Sequence, residues 1–181
     1  MKLFWTIAFG ALAACGESSR SSAVLDSLVP GARIGTLAAP AAQRLHLEFT
    51  PYVGYADSSH AAARGGRSVA LLVEGLDAAE QRPSALARIK GVMLGFRSHQ
   101  AADSMRERLS RTLGPPEITC YRPGYTPAQM ELFYWRDRGS KGTLLWIPLQ
   151  ASREAFVTFG TMPPEQNSSF EGSTPGACTA G

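Results

Sequence analysis

The sequence predicts an α+β domain in which a mostly antiparallel sheet carries one main amphipathic helix on one face. Short apolar segments separated by Gly, Pro and Ser recur along the chain, which is typical of strands. One segment, about residues 98–113, instead has apolar residues at a spacing of three to four, which is typical of a helix. That helix must bury its apolar stripe, and the strands offer the large apolar surface on which it can do so.

The composition is that of a globular protein. Of the 181 residues, 44% are hydrophobic and 18% are charged, so the chain is neither disordered nor of a nucleic-acid-binding type. The formal net charge is +3, and the arginines are scattered singly rather than grouped into a basic patch. We therefore expect no nucleic-acid partner.

Residues 1–14 have the features of an export signal. Lys2 supplies a positive start, and the segment from Leu3 to Ala14 is apolar without a charge. It is shorter than the roughly 20 residues that a membrane-spanning helix needs. Residues 1–14 are therefore predicted to be a signal peptide.

The end of this signal carries a cysteine. The tetrad Leu12-Ala13-Ala14-Cys15, followed by Gly16, resembles the lipobox of bacterial lipoproteins. The resemblance implies diacylglyceryl transfer to the sulfur of Cys15, cleavage before it, and attachment to a membrane. Because Gly16 is not the Asp that favours the inner membrane, the family pattern implies the outer membrane, facing the periplasm. An ordinary signal peptide with an incidental cysteine and an N-terminal core helix are the alternatives.

The remaining chain divides into three parts. Residues 15–30 are predicted to be the lipidated cysteine and a flexible, Ser-rich tether. Residues 31–160 are predicted to be a single globular domain. Residues 161–181 are predicted to be a tail rich in Gly, Ser and Pro that is irregular except where Cys178 ties it down.

Three strands are predicted before the helix. Residues Arg44–Phe49 alternate polar and apolar, which predicts a half-buried strand with Leu45, Leu47 and Phe49 toward the core. The other two predicted strands are Ser68–Glu74 and Arg88–Phe96, with Arg82–Ser84 in the turn region between them.

The helix has clear ends. Ser98 is a suitable N-cap, and Gly114 followed by two prolines is a strong stop. The apolar stripe consists of Ala101, Ala102, Met105, Leu109 and Leu113. Arg106 is predicted to lie on the opposite, solvated face.

Four strands are predicted after the helix, with Gly139 in the turn between the middle two. They are Glu117–Tyr121, Met130–Arg136, Gly142–Leu149 and Glu154–Phe159.

Two short patterns accompany these strands. The turn Leu113-Gly114-Pro115-Pro116 followed by a strand bearing Trp135 resembles the small outer-membrane lipoproteins of the barrel-assembly type, over about forty residues. The segments TPYVGY and CYRPGY end at Tyr55 and Tyr125, seventy residues apart. They are the trace of an internal repeat or a coincidence of two common Gly-Tyr turns.

Two cysteines remain after lipidation, Cys120 and Cys178. An oxidising compartment favours a disulfide between them, which would close a loop of 59 residues and hold the tail. Two separate thiols are the alternative, and a nucleophilic Cys120 is a weaker one.

No catalytic residue, metal site or cofactor is predicted. The chain lacks H-E-x-x-H, G-x-S-x-G, P-loop and C-x-x-C motifs. His46 with Glu48 and Asp57 with His60 each offer fewer ligands than a metal needs. The carboxylates are dispersed, so no acid and base pair can be proposed.

Aromatic residues are the candidates for contact with a partner. We single out Tyr52, Tyr55, Tyr121, Tyr125 and Trp135, because Tyr and Trp on loops bring much contact area at little entropic cost. Packing over the ends of the sheet is the alternative. The sequence thus predicts a lipid-anchored, non-catalytic module that binds an envelope protein or a glycan. An envelope hydrolase with a dispersed active site and a structural spacer are the rival functions.

Overall fold

A computed structural model of the chain describes residues 20–47, 51–52, 55–64, 67–77, 82–122, 130–137, 141–148, 154–163 and 178–180. The helices in these ranges are α1 (Arg20–Leu28), α2 (Ala38–Leu45) and α3 (His99–Leu113). The strands are β1 (Pro51–Tyr52), β2 (Tyr55–Arg64), β3 (Arg67–Asp77), β4 (Arg82–Phe96), β5 (Ile118–Arg122), β6 (Met130–Arg136), β7 (Gly142–Pro148), β8 (Ala155–Thr161) and β9 (Cys178–Ala180).

The nine described strands form one antiparallel sheet in the order β1-β2-β3-β4-β8-β7-β6-β5-β9. Strands β1 to β4 form one meander and β5 to β8 another, and the two join where β4 pairs with β8. A helix precedes each meander, α2 before the first and α3 before the second. The order helix and four strands therefore occurs twice among the described residues, while the internal repeat of the two Gly-Tyr segments stays a prediction.

The main core lies between the helices and one face of the sheet. It combines buried residues of all three helices with side chains of β3, β4, β6, β7 and β8. Along β6, Phe133 and Trp135 belong to this core, whereas Leu132 and Tyr134 join Leu144 in a smaller cluster. Since successive side chains of a strand point to opposite faces, the smaller cluster lies on the other face of the sheet.

Helix α3 has the predicted position and cap. The backbone N–H of Ala101 donates to Oγ of Ser98 at 3.1 Å, and Gly114 ends the helix with a φ of 95°. The stripe residues Ala102, Met105 and Leu109 are buried. The periodicity and the cap therefore predicted this element correctly.

The predicted fold class, with one main helix at about residues 98–113 on the sheet, is wrong. The described residues form a sheet-dominated α+β fold in which α1 and α2 also contribute to the core. Helix α1 lies inside the segment predicted to be a flexible tether, and Val24 and Leu25 on it are buried. Its nine residues are too few for a stable isolated helix, so packing rather than local propensity stabilises it.

The strand predicted at Arg44–Phe49 is also wrong where the structure describes it. Helix α2 extends to Leu45, and His46 follows in a left-handed conformation with a φ of 53°. The preceding Ala-rich stretch favours a helix, and the small side chains of Ala38, Ala41 and Ala42 are buried. The alternation of polar and apolar residues that predicted a strand therefore begins, in its described part, at the end of a helix.

The other strand predictions are confirmed, with changes in their bounds. Ser68–Glu74 lies within β3 and Arg88–Phe96 within β4, but β4 already begins at Arg82. The predicted turn at Arg82–Ser84 is therefore wrong, since those residues belong to a long hairpin. Strands β5 to β8 lie within two residues of their predicted bounds. Gly139 lies outside the described residues.

The predicted tail contains a short strand at Cys178, the residue that was expected to tie it to the domain. Strand β9 pairs with β5 at the edge of the sheet. Residues 164–177 lie outside the described part of the chain.

Candidate functional site

Helix α1 is docked at both of its ends by polar contacts. Near its start, the hydroxyl of Thr143 on β7 donates to Oγ of Ser21 at 3.2 Å, and both residues are buried. Near its end, Nη2 of Arg108 on α3 donates to Oγ of Ser27 at 2.6 Å. Because these contacts involve different elements, they hold the direction of α1 as well as its position.

The end of α3 lies at the same place as the start of α1. Indole Nε1 of Trp135 donates to the carbonyl oxygen of Gly114 at 2.9 Å, and Trp135 is the register partner of Thr143. Gly142, the first residue of β7, pairs with Thr161 at the end of β8. We call this place, defined by Ser21, Gly114, Thr143 and Thr161, the α1 end of the sheet.

Trp135 is not an exposed binding residue. It is 2% exposed, and its ring lies 6.2 Å from that of Phe133, centroid to centroid, in the main core. The neighbouring Phe133 and Tyr134 are buried as well. Phe133 and Trp135 point to one face of the sheet and Tyr134 to the other, but all three side chains are buried.

Trp135→Phe should weaken the end of α3. The variant loses the indole donor, which leaves the carbonyl of Gly114 unpaired at a cost of about 1 to 3 kcal/mol. We expect faster hydrogen exchange at the amide of Gly114, which donates to the carbonyl oxygen of Ser110 at 3.0 Å. The capped amide of Ala101 at the other end of α3 serves as the internal control. Equal acceleration at both amides would show global destabilisation instead.

The exposed large apolar side chains lie toward the α1 end. Among the described side chains they are Ile34, Leu37, Leu86 and Met162, which are 37%, 37%, 78% and 45% exposed. Met162 directly follows Thr161, at the end of β8. A methyl group on Gly160 would lie 2.7 Å from Cδ1 of Ile34, so the side chain of Ile34 covers that glycine.

The other two apolar residues belong to the same side of the sheet. Leu37 forms an isolated antiparallel bridge with Arg88 of β4. The pairing of β4 with β8 extends from Phe96 back to Val92, so Arg88 and Leu86 lie beyond the end of β8. We call Ile34, Leu37, Leu86 and Met162 the apolar rim.

The opposite end of the sheet has a polar character. Phe96 pairs with Ala155 there, and the adjoining Arg97 and Glu154 form an ion pair at 3.5 Å. The start of α3, with the exposed Ser98, lies at this end too. The α1 end also carries ion pairs, because Arg136, opposite Gly142, lies 2.8 Å from Glu117, and Arg33, next to Ile34, lies 3.1 Å from Asp26. We call the opposite end the polar end because, among the described side chains, none of the exposed large apolar ones lies there.

The candidate tyrosines do not form one group. Tyr52 and Tyr55 are register partners in β1 and β2, at one edge of the sheet, whereas Tyr121 lies in β5 near the other edge. Strands are spaced by about 4.8 Å, so the seven steps from β1 to β5 separate the two edges by roughly 30 Å. Tyr125 lies outside the described residues.

The histidines lie on three different elements. His46 caps α2, His60 lies in β2 opposite Ala70, and His99 begins α3. Within the described residues, no group of three or more His, Cys, Asp or Glu side chains is placed to hold a metal ion. Nor does any described helix combine the length and apolar character needed to cross a membrane.

The two cysteines, in contrast, occupy paired backbone positions. Cys120 of β5 and Cys178 of β9 are direct register partners across an antiparallel pair. Such partners have Cα atoms about 4.5 or 5.5 Å apart, and a disulfide requires a Cα separation of about 4.4 to 6.8 Å. The backbone register therefore meets the distance requirement of the predicted disulfide.

No protein-family model, curated protein or solved structure matches the chain.

Proposed function

We propose that the protein is a lipid-anchored lipoprotein of the bacterial cell envelope whose folded domain is a non-catalytic binding module. The observation that carries the proposal is the tetrad Leu12-Ala13-Ala14-Cys15 with Gly16, at the end of a charge-free apolar segment. A cysteine at this point of an export signal supplies a nucleophilic sulfur that can carry acyl chains. Gly16 supports the outer membrane, facing the periplasm, as the destination.

The anchor would hold the domain firmly. Each buried methylene of an acyl chain contributes about 0.8 kcal/mol, so two or three chains retain a protein on a bilayer where one alone does so only marginally. The folded domain would thus work at a membrane surface.

The tyrosines that the sequence offers as contact residues support binding as the role of the domain, because tyrosine brings much contact area at little entropic cost. An envelope protein or a glycan remains the proposed class of partner. Tyr52, Tyr55 and Tyr121 lie on strands at or near the two edges of the sheet and remain candidates for its recognition.

Cys15→Ser should abolish the anchoring. The hydroxyl cannot accept the thioether-linked lipid, so we expect unprocessed precursor or release of the domain from membranes. Metabolic labelling with a fatty acid, followed by separation of membrane and soluble fractions, measures both effects. Ser19→Ala, which leaves the tetrad intact, is the matched control and should label normally. Fatty-acid label that persists on the Cys15→Ser chain would refute the proposal.

A further inference from the structure

The folded domain begins very close to the proposed lipid attachment. Four residues, Gly16 to Ser19, separate Cys15 from Arg20, the first residue of α1. The five Cα-to-Cα steps from Cys15 to Arg20 can span at most about 18 Å. A lipid on Cys15 would therefore keep the start of α1 within a short distance of the bilayer.

The docking of α1 determines which part of the domain this short connection holds there. The start of α1 is fixed to β7 by the contact between Ser21 and Thr143, and its end to α3 by the contact between Ser27 and Arg108. The helix cannot swing away without breaking a buried contact. The α1 end of the sheet is therefore the end nearest to the anchor.

We propose that the apolar rim of the α1 end, Ile34, Leu37, Leu86 and Met162, rests on the lipid bilayer. This inference depends on the lipid anchor proposed above. Its independent support is the coincidence of the exposed apolar side chains with the end to which the short connection leads. The polar end, with Arg97 and Glu154, then faces away from the membrane.

With the anchor in place, a weak apolar contact is enough to orient the domain on the membrane. A short linker between two binding elements raises the effective concentration of the second to the millimolar range, so the rim needs little affinity of its own. Leu86 is the most exposed of the four residues, and its position on a hairpin beyond the end of β8 suits contact with the interface. The domain would thus have a defined orientation on the membrane, with the polar end presented to the periplasm.

Photo-crosslinking to lipid tests this orientation. A benzoylphenylalanine residue replaces Met162 or Leu86 in the full chain, processed in cells and reconstituted into phosphatidylethanolamine and phosphatidylglycerol vesicles. The matched control carries it in place of Arg97, at the polar end. We expect several-fold more lipid adduct, measured by mass spectrometry, from positions 162 and 86 than from position 97.

Lengthening the connection supplies a second test. A Gly-Ser insertion of about 20 residues between Ser18 and Ser19 lowers the effective concentration of the rim at the membrane. The inserted chain should stay in the membrane fraction but give less lipid adduct at position 162.

The outcomes separate the two proposals. Equal lipid adducts at positions 162 and 97 in a membrane-bound chain would overturn the orientation and leave the anchor standing. Adducts to a protein instead of lipid at positions 162 and 86 would also overturn it and identify a protein as the occupant of the rim. A chain without fatty-acid label in the soluble fraction would overturn the anchor and, with it, the orientation.

Discussion

Leu109→Ala is expected to lower the free energy of unfolding by about 2 to 5 kcal/mol. Leu109 is 0% exposed, and it lies one turn from the buried Met105 and the partly buried Leu113. Helix α3 contacts α1 as well as strands β4, β7 and β8. Because elements on several sides hold α3 in place, the cavity can collapse only partially. Chemical denaturation of a soluble chain that starts after Cys15 measures the loss.

Glu107→Ala is the matched control for this prediction. The side chain of Glu107 is 67% exposed, and its ion pair with Arg111 is 3.9 Å long, so its removal should change stability by no more than about 0.5 kcal/mol. Equal losses in the two variants would show that the stripe of α3 is not the buried contact with the sheet.

Helix periodicity predicted that Arg106 lies on the solvated face of α3, but the structure places its side chain against Phe133. Its guanidinium lies 5.1 Å from the centroid of the Phe133 ring and forms an ion pair with Asp103 at 3.1 Å. The side chain therefore covers part of the core instead of pointing into solvent. A cation over an aromatic face at a partly exposed site is worth about 0.5 to 1 kcal/mol, so Arg106 would be a poor control.

Formation of a disulfide between Cys120 and Cys178 is expected to stabilise the oxidised protein by about 4 kcal/mol relative to the reduced form. The estimate follows from the chain entropy of a closed loop of 59 residues. Cys120 and Cys178 are direct register partners, so the bond would join strands that already pair. Denaturation with and without reductant measures the difference.

The double variant Cys120→Ser with Cys178→Ser is the control, and its stability should not depend on the reductant. Alkylation of the folded, exported protein followed by mass measurement under non-reducing conditions tests the bond itself. Two alkylated thiols per molecule would contradict it. The bond would reinforce β9, which has three residues and little pairing of its own.

Part of the fold could be predicted from the sequence because it depends on local signals. Helix α3 has a regular apolar stripe, a Ser98 cap and a Gly-Pro-Pro stop, and its bounds were predicted to within a residue. Strands β5 to β8 are apolar segments separated by turn residues. In contrast, β2 has the sequence YADSSHAAAR, which carries no apolar alternation, and it forms by pairing with β3.

The candidate functional residues also divide into those that the sequence suggested and those that it did not. Cys15 and the Cys120–Cys178 pair were selected from the sequence, because residue type, compartment and number of cysteines were enough to suggest them. The apolar rim was not, since Ile34 and Leu37 lie far along the chain from Leu86, and all three lie far from Met162. Nothing local distinguishes the exposed Leu86 from the buried Ile89 of the same strand.

The sequence by itself determined helix α3 and most of the strands, because each depends on residues that are neighbours in the chain. The signal peptide and the lipidation of Cys15 stay predictions. Only the tertiary structure decided that residues 20–28 form a docked helix instead of a tether, and that Trp135 is buried under the end of α3. Both depend on contacts between distant segments, such as Ser21 with Thr143 and Trp135 with Gly114. Periodicity shows that a segment has an apolar face, but the element that covers this face is set by the packing of the whole chain.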